Sequence, residues 1–161
     1  MAKAVILQAL WFQAIWFAAI FGQNEFALLL VCIFACHLLI SKAWRSDLKI
    51  WPIAVVGFCG DLLLTWLGVF EFAAFPLWLA VIWLSFALTL LYSMAWLDRI
   101  NIFGQALIGG CAGCLSYLAG ARLDAVELPL GILTSAIILA IYWSILLPSM
   151  INAKQKLVAK A

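Results

Sequence analysis

Apolar stretches of roughly 20 residues recur along this chain with only short polar breaks between them, and that spacing admits few folds. A helix that crosses the hydrocarbon core of a bilayer needs about 20 apolar residues, because each residue advances only about 1.5 Å. The chain divides into six such stretches, at residues 4–21, 26–40, 50–70, 77–97, 102–119 and 130–151. The expected fold is all-α: a polytopic membrane protein, a six-transmembrane-helix bundle, forming a single transmembrane domain over residues 1–161. Apolar residues make up 69% of the chain and charged residues 10%, which excludes an ordinary soluble domain.

The breaks carry the charge. Gly22 to Glu25 separate the first two stretches, Lys42, Arg45, Asp47 and Lys49 the next two, and Pro52 falls in the first turn of the third. Of nine lysines and arginines, all but Arg122 lie on one set of loops and ends: Lys3, Lys42, Arg45, Lys49, Arg99, Lys154, Lys156 and Lys160. By the positive-inside rule both termini face the cytoplasm, which requires an even number of passes. Glu25, Glu71, Asp124 and Glu127 fall on the other side. The first stretch follows Lys3, as a signal peptide would, yet it is long and lacks a small-x-small cleavage pattern, so it reads as a retained helix. A net charge of +2 gives no reason to expect nucleic acid.

Asp61 is the one carboxyl group placed near the middle of an apolar stretch. An ionisable group there costs several kcal/mol unless paired, hydrated or neutral, so it marks either a functional interior or a structural hydrogen bond to Gln13 or a hydroxyl. Helical spacing puts Ala54, Gly57, Asp61, Thr65 and Gly68 on one face of the third stretch, small or polar throughout, which turns Asp61 toward protein. The fourth stretch presents Ser85, Thr89, Tyr92 and Ser93 within one arc, and the fifth presents Gln105, Gly109, Ala112, Gly113 and Ser116. Gly109 to Gly113 is a Gly-x-x-x-Gly spacing that favours close helix packing. Gln13 is expected at the depth of Asp61, with His37 nearer the cytoplasm. Asp61, Gln13, Ser85, Thr89, Tyr92, Ser93, His37 and Gln105 are therefore the candidate binding residues of a polar interior layer.

Catalytic and cofactor chemistries find little footing. Cys111-Ala-Gly-Cys114 has the spacing of thiol oxidoreductases, but a mid-helix thiol in hydrocarbon carries little thiolate. All five cysteines fall in apolar stretches, so no disulfide framework is expected. A single histidine cannot supply two axial haem ligands, no cluster has zinc-like spacing, and no nucleophile elbow or phosphate loop is present. No metal or cofactor is expected, and no catalytic residue is assigned.

Certain runs resemble a known family. Phe12-Gln13-Ala14-Ile15-Trp16-Phe17, the central Asp61, the set Trp78, Trp83, Phe86, Thr89, Ser93 and Trp96-Leu97, and Ser116-Tyr117-Leu118-Ala119-Gly120-Ala121-Arg122-Leu123 are similar to the small proteobacterial inner-membrane proteins grouped as domain of unknown function 2878. The likeness covers nearly the whole chain and is most specific over residues 110–123. Cys114 stands where the family pattern has proline, and Asp124 where it has glycine. The resemblance implies a six-pass protein of the bacterial inner (cytoplasmic) membrane with no assigned activity.

The favoured function is a non-enzymatic bundle that binds or passes a small or amphipathic, lipid-like molecule through a polar interior around Asp61. A membrane-embedded enzyme or enzyme subunit in lipid metabolism is the alternative, and a structural subunit of a membrane complex a second. The expected partners are membrane lipids, a small amphipathic ligand, and a homo-oligomer or larger membrane complex, with no nucleic acid.

Overall fold

The computed structural model describes residues 2–159; Lys160, counted above with the basic residues, lies outside them. The helices are α1 (Ala2–Gly22), α2 (Ala27–Ile40), α3 (Trp44–Lys49), α4 (Trp51–Trp66), α5 (Leu77–Leu91), α6 (Ile102–Arg122) and α7 (Ile132–Ala159), with 3-10 turns at Gln23–Phe26 and Ala95–Arg99. Among the described residues the one β feature is an isolated bridge between Glu71 and Glu127. Four stretches are long and apolar enough to cross a membrane: Lys3–Ile40, Trp44–Trp66, Ile102–Arg122 and Ile132–Ala159. The first of these doubles back. Gln23 takes a left-handed backbone with φ 44, and the Trp11 and His37 rings meet at 4.6 Å, so α1 and α2 form an antiparallel hairpin. The expected segments thus correspond to α1, α2, α4, α5, α6 and α7, with α2, α4 and α5 shorter than a straight spanning helix.

Local chemistry sets several boundaries. Pro52 occupies the first turn of α4, where its missing N–H leaves no donor unsatisfied. At the far end, Gly68 at φ 71 lets its N–H reach Thr65 and that of Val69 reach Leu64, a Schellman closure that needs a left-handed residue. α6 closes the same way: the Asp124 N–H reaches Ala121, and that of Ala125 reaches Gly120. Here Asp124 holds φ 57, so the tight turn forms without the glycine of the family pattern. Asn101 caps the start of α6 by accepting the Gly104 N–H at 2.8 Å.

The fourth stretch departs from expectation. Its α-helix ends at Leu91 instead of running to residue 97, because the N–H groups of Tyr92 and Met94 both turn back to the Thr89 carbonyl. The side chain of Lys154, on α7, reaches the Leu90 carbonyl at 3.3 Å and the Asp98 carboxylate at 2.5 Å. It thereby satisfies a carbonyl that the truncated helix leaves open. The short helix α3 was not anticipated from the sequence.

α5 is the central helix, packed against α1, α2, α4 and α7, and most of its side chains are buried. α6 and α7 form the most extensive pair, for which the Gly-x-x-x-Gly spacing accounts. A methyl on Gly109 would sit 2.5 Å from the Trp143 carbonyl oxygen, one on Gly110 would sit 3.0 Å from that of Ala140, and one on Gly113 would meet the Trp143 ring. The exterior is apolar, with Leu39, Phe103 and Leu107 among many exposed large side chains. Asp47, Asp61 and Gln105 are buried inside, and an apolar exterior around a few interior polar groups is compatible with a multi-pass membrane protein. Lys42, Lys49, Arg99 and Lys154 gather at one end of the bundle. Glu25, Glu71, Asp124 and Glu127 gather at the other, where Gln23 donates to the Asp124 carbonyl at 3.3 Å.

Candidate functional site

α1 and α6 do not pack as a pair along their length, and a cavity of about 560 Å³ fills the space between them, floored by α5 and α7. Phe17 and Leu115, both exposed, stand on its lining, so it opens on the outer surface of the bundle. The walls are aromatic: Trp16 from α1, Trp83 and Phe86 from α5, Tyr117 from α6 and Trp143 from α7. Trp83 and Trp143 stack at 5.5 Å with ring planes 7° apart, and Phe86 meets both edge-on, geometries that aromatic quadrupoles favour. Gln13 and Ser116 place an amide and a hydroxyl on the lining, and Ala112, with Gly109 and Gly113, leaves α6 without bulk there.

Asp61 lies behind this wall, not within the cavity. It is fully buried. One carboxyl oxygen accepts the indole N–H of Trp83 and the other the phenol O–H of Tyr117, both at 2.6 Å. Gly57, one turn earlier on α4, makes this possible, since a methyl there would collide with the Trp83 ring. The small-residue stripe therefore seats an indole. Three helices, α4, α5 and α6, are joined at one carboxyl group, and two of its partners are walls of the cavity.

The expected polar layer around Asp61 is not what the helices bring together. Of the eight candidates, Gln13 alone lines the cavity. Ser85 is fully buried, with its hydroxyl unpartnered among the described residues. Thr89 turns its hydroxyl to the Phe86 carbonyl of its own helix at 2.6 Å, the usual resort of a helical hydroxyl. Gln105 donates to the Leu97 and Ile100 carbonyls, both at 3.0 Å, tying the start of α6 to the preceding turn. Ser93 is half-buried beyond the end of α5. His37 and Tyr92 belong to a separate cluster at the basic end.

That cluster centres on Asp47 of α3, one of the charged residues of the second polar break. Its side chain is fully buried, with His37 Nε2 at 3.7 Å. The Ser41 hydroxyl donates to it at 2.6 Å, and the Tyr92 hydroxyl also donates to it. A short apolar-flanked helix folding back over its neighbours buries a carboxylate that sequence alone shows among lysines. The signal available was its isolation: Asp47 is the one acid between Lys42 and Lys49. Elsewhere the cysteines are unpaired, with Cys111 exposed and Cys114 buried; the Cys114 thiol donates to the Ala136 carbonyl of α7 at 3.4 Å. Among the described residues no three His, Cys, Asp or Glu side chains come together as metal ligands.

The family model described as "Protein of unknown function (DUF2878)" matches residues 5–149, nearly the full length. No curated protein and no solved structure matches the chain.

Proposed function

The chain belongs to the DUF2878 family, and for this member we propose a non-enzymatic role: binding a lipid-like, predominantly apolar molecule in the cavity between α1 and α6. The observation that carries the reading is the cavity itself, aromatic-walled, about 560 Å³ in volume and open at the bundle surface. Pockets of about 300–1,000 Å³ lined by aromatic side chains with a few placed polar groups are those that hold small ligands. Gln13 and Ser116 supply a donor and an acceptor for an ester, ketone or hydroxyl group on the guest. Asp61 acts at one remove, fixing Trp83 and Tyr117 so that the wall keeps its shape.

The membrane setting belongs to the same proposal. The helices α1, α2, α4, α5, α6 and α7 alternate in direction as six passes of the bacterial inner membrane, with the basic end and both termini on the cytoplasmic side. α2 and α5, the short ones, cross within a bundle whose neighbours cover their ends. The enzyme reading has weaker support, because both oxygens of Asp61, its expected acid or base, are occupied by protein donors.

The test is lipid extraction and mass analysis of the protein purified in mild detergent, wild type beside Ala112→Trp. Ala112 is exposed and lines the cavity, so an indole there fills it without disturbing the core. A defined apolar molecule carried by the wild type and lost from Ala112→Trp supports the proposal. Equal recovery from both proteins contradicts it.

A further inference from the structure

A second hollow, of about 870 Å³, lies at the basic end between α1 and α2 and shares no lining residue with the aromatic cavity. We infer that it is a distinct binding site for one anionic amphiphile, a phospholipid with an acidic headgroup, its head at Lys42 and His37 and one chain along α2.

Two features specify this occupant. The first is charge. Lys42 is exposed on the lining, and the two ion pairs found among the described residues, His37–Asp47 and Lys154–Asp98, leave it unpaired. His37 lies beside it with its side chain 24% exposed, while the Asp47 side chain beyond is fully buried, occupied by Ser41 and Tyr92, and does not line the hollow. The head of the site thus offers an ammonium and an imidazole, and its carboxylate faces away. Basic pockets at this level between helices recognise acidic lipid headgroups.

The second feature is depth. Below His37, the wall is apolar along α2 through Cys36, Ile33 and Leu29, with Trp11 opposite on α1. From His37 to Leu29 the helix covers about 12 Å, somewhat under half of the ~30 Å hydrocarbon core. The furrow thus runs through most of one leaflet and covers the greater part of a single acyl chain. A soluble anion would use the head and leave this wall uncovered. The inference rests on the membrane-spanning reading but not on any guest in the α1–α6 cavity.

Trp11 reports on the site, since its ring packs on His37. The full-length protein is reconstituted in phosphatidylcholine vesicles containing graded fractions of brominated phosphatidylglycerol or brominated phosphatidylcholine. The Trp11 signal is the difference between wild type and Trp11→Phe. The expected result is half-quenching by the acidic lipid at about fivefold lower mole fraction, the advantage one basic residue confers at a membrane surface. Lys42→Gln abolishes that preference, whereas Lys156→Gln, exposed at the same end but off the hollow, preserves it. Inorganic phosphate in the buffer leaves it unchanged. Equal quenching by the two lipids overturns the inference, as does an equal loss in both variants, which would reduce the effect to general surface charge. Displacement by inorganic phosphate would overturn the lipid assignment in favour of a soluble anion.

Discussion

Removing the Asp61 carboxyl group strands two donors at once, and the identity of those donors makes the effect chemically selective. In Asp61→Leu, the Trp83 N–H and the Tyr117 O–H, each 2.6 Å from a carboxyl oxygen, lose their acceptors in a site with no solvent. Hydrogen bonds between membrane helices average about 0.6 kcal/mol and reach about 1.7 kcal/mol. Bonds to a carboxyl group belong at the upper end, so two of them give a loss of about 3 kcal/mol. Asp61→Asn behaves differently. Its amide oxygen still accepts from Trp83, which can only donate, and its amide nitrogen donates to Tyr117, whose hydroxyl can turn to accept. Both contacts survive, and the expected cost is under about 1 kcal/mol. The assay is reversible unfolding in mixed micelles, followed by far-ultraviolet circular dichroism, with Asp61→Leu combined in a double-mutant cycle with Tyr117→Phe. A coupling of about 1 kcal/mol or more between the two positions is expected. The reasoning is refuted if Asp61→Asn is as damaging as Asp61→Leu, or if the cycle shows no coupling.

Other substitutions test other parts of the account. Asp124→Gly, at φ 57, should stabilise by about 1 kcal/mol in the same unfolding assay, because glycine adopts the left-handed conformation without the Cβ penalty. Gly113→Ala places a methyl against the Trp143 ring and should destabilise by about 1–3 kcal/mol, whereas Ala112→Gly on the open side of α6 should cost under about 1 kcal/mol. Lys154→Met removes the ammonium that Asp98 and the Leu90 carbonyl share, leaving Asp98 only the Gln155 amide at 3.3 Å. Faster amide hydrogen exchange is expected in the last turn of α5, and unchanged exchange there would show that the ammonium does not cap the helix.

The helices were legible because long apolar runs between short polar breaks are visible in the sequence, and the inward facing of Asp61, which is fully buried, followed from the small residues spaced around it. Its partners were not legible. Trp83 and Tyr117 come from different helices, and an indole or phenol in an apolar run reads as packing until its ring is seen to reach a carboxyl oxygen. The expected layer of hydroxyls and amides dispersed for a local reason. Thr89 bonds its own helix and Gln105 the turn before α6, so neither needs a distant partner. The break after Leu91 was hidden because the apolar run continues to Leu97, and tertiary contacts end the helix: Tyr92 donates to Asp47, and Lys154 reaches Leu90. Asp47 escaped notice since a carboxylate among lysines looks solvated until α3 folds over it.

The central claim, that the α1–α6 cavity selects a guest instead of admitting bulk lipid, is tested most directly by photo-cross-linking in native membranes. A benzophenone amino acid is placed at Ala112, which lines the cavity, or at Leu107, which is 68% exposed on the same helix and off the cavity. Mass analysis of the adducts should show one dominant apolar species at residue 112 and the bulk phospholipid mixture at residue 107. The same mixture at both positions would contradict the account.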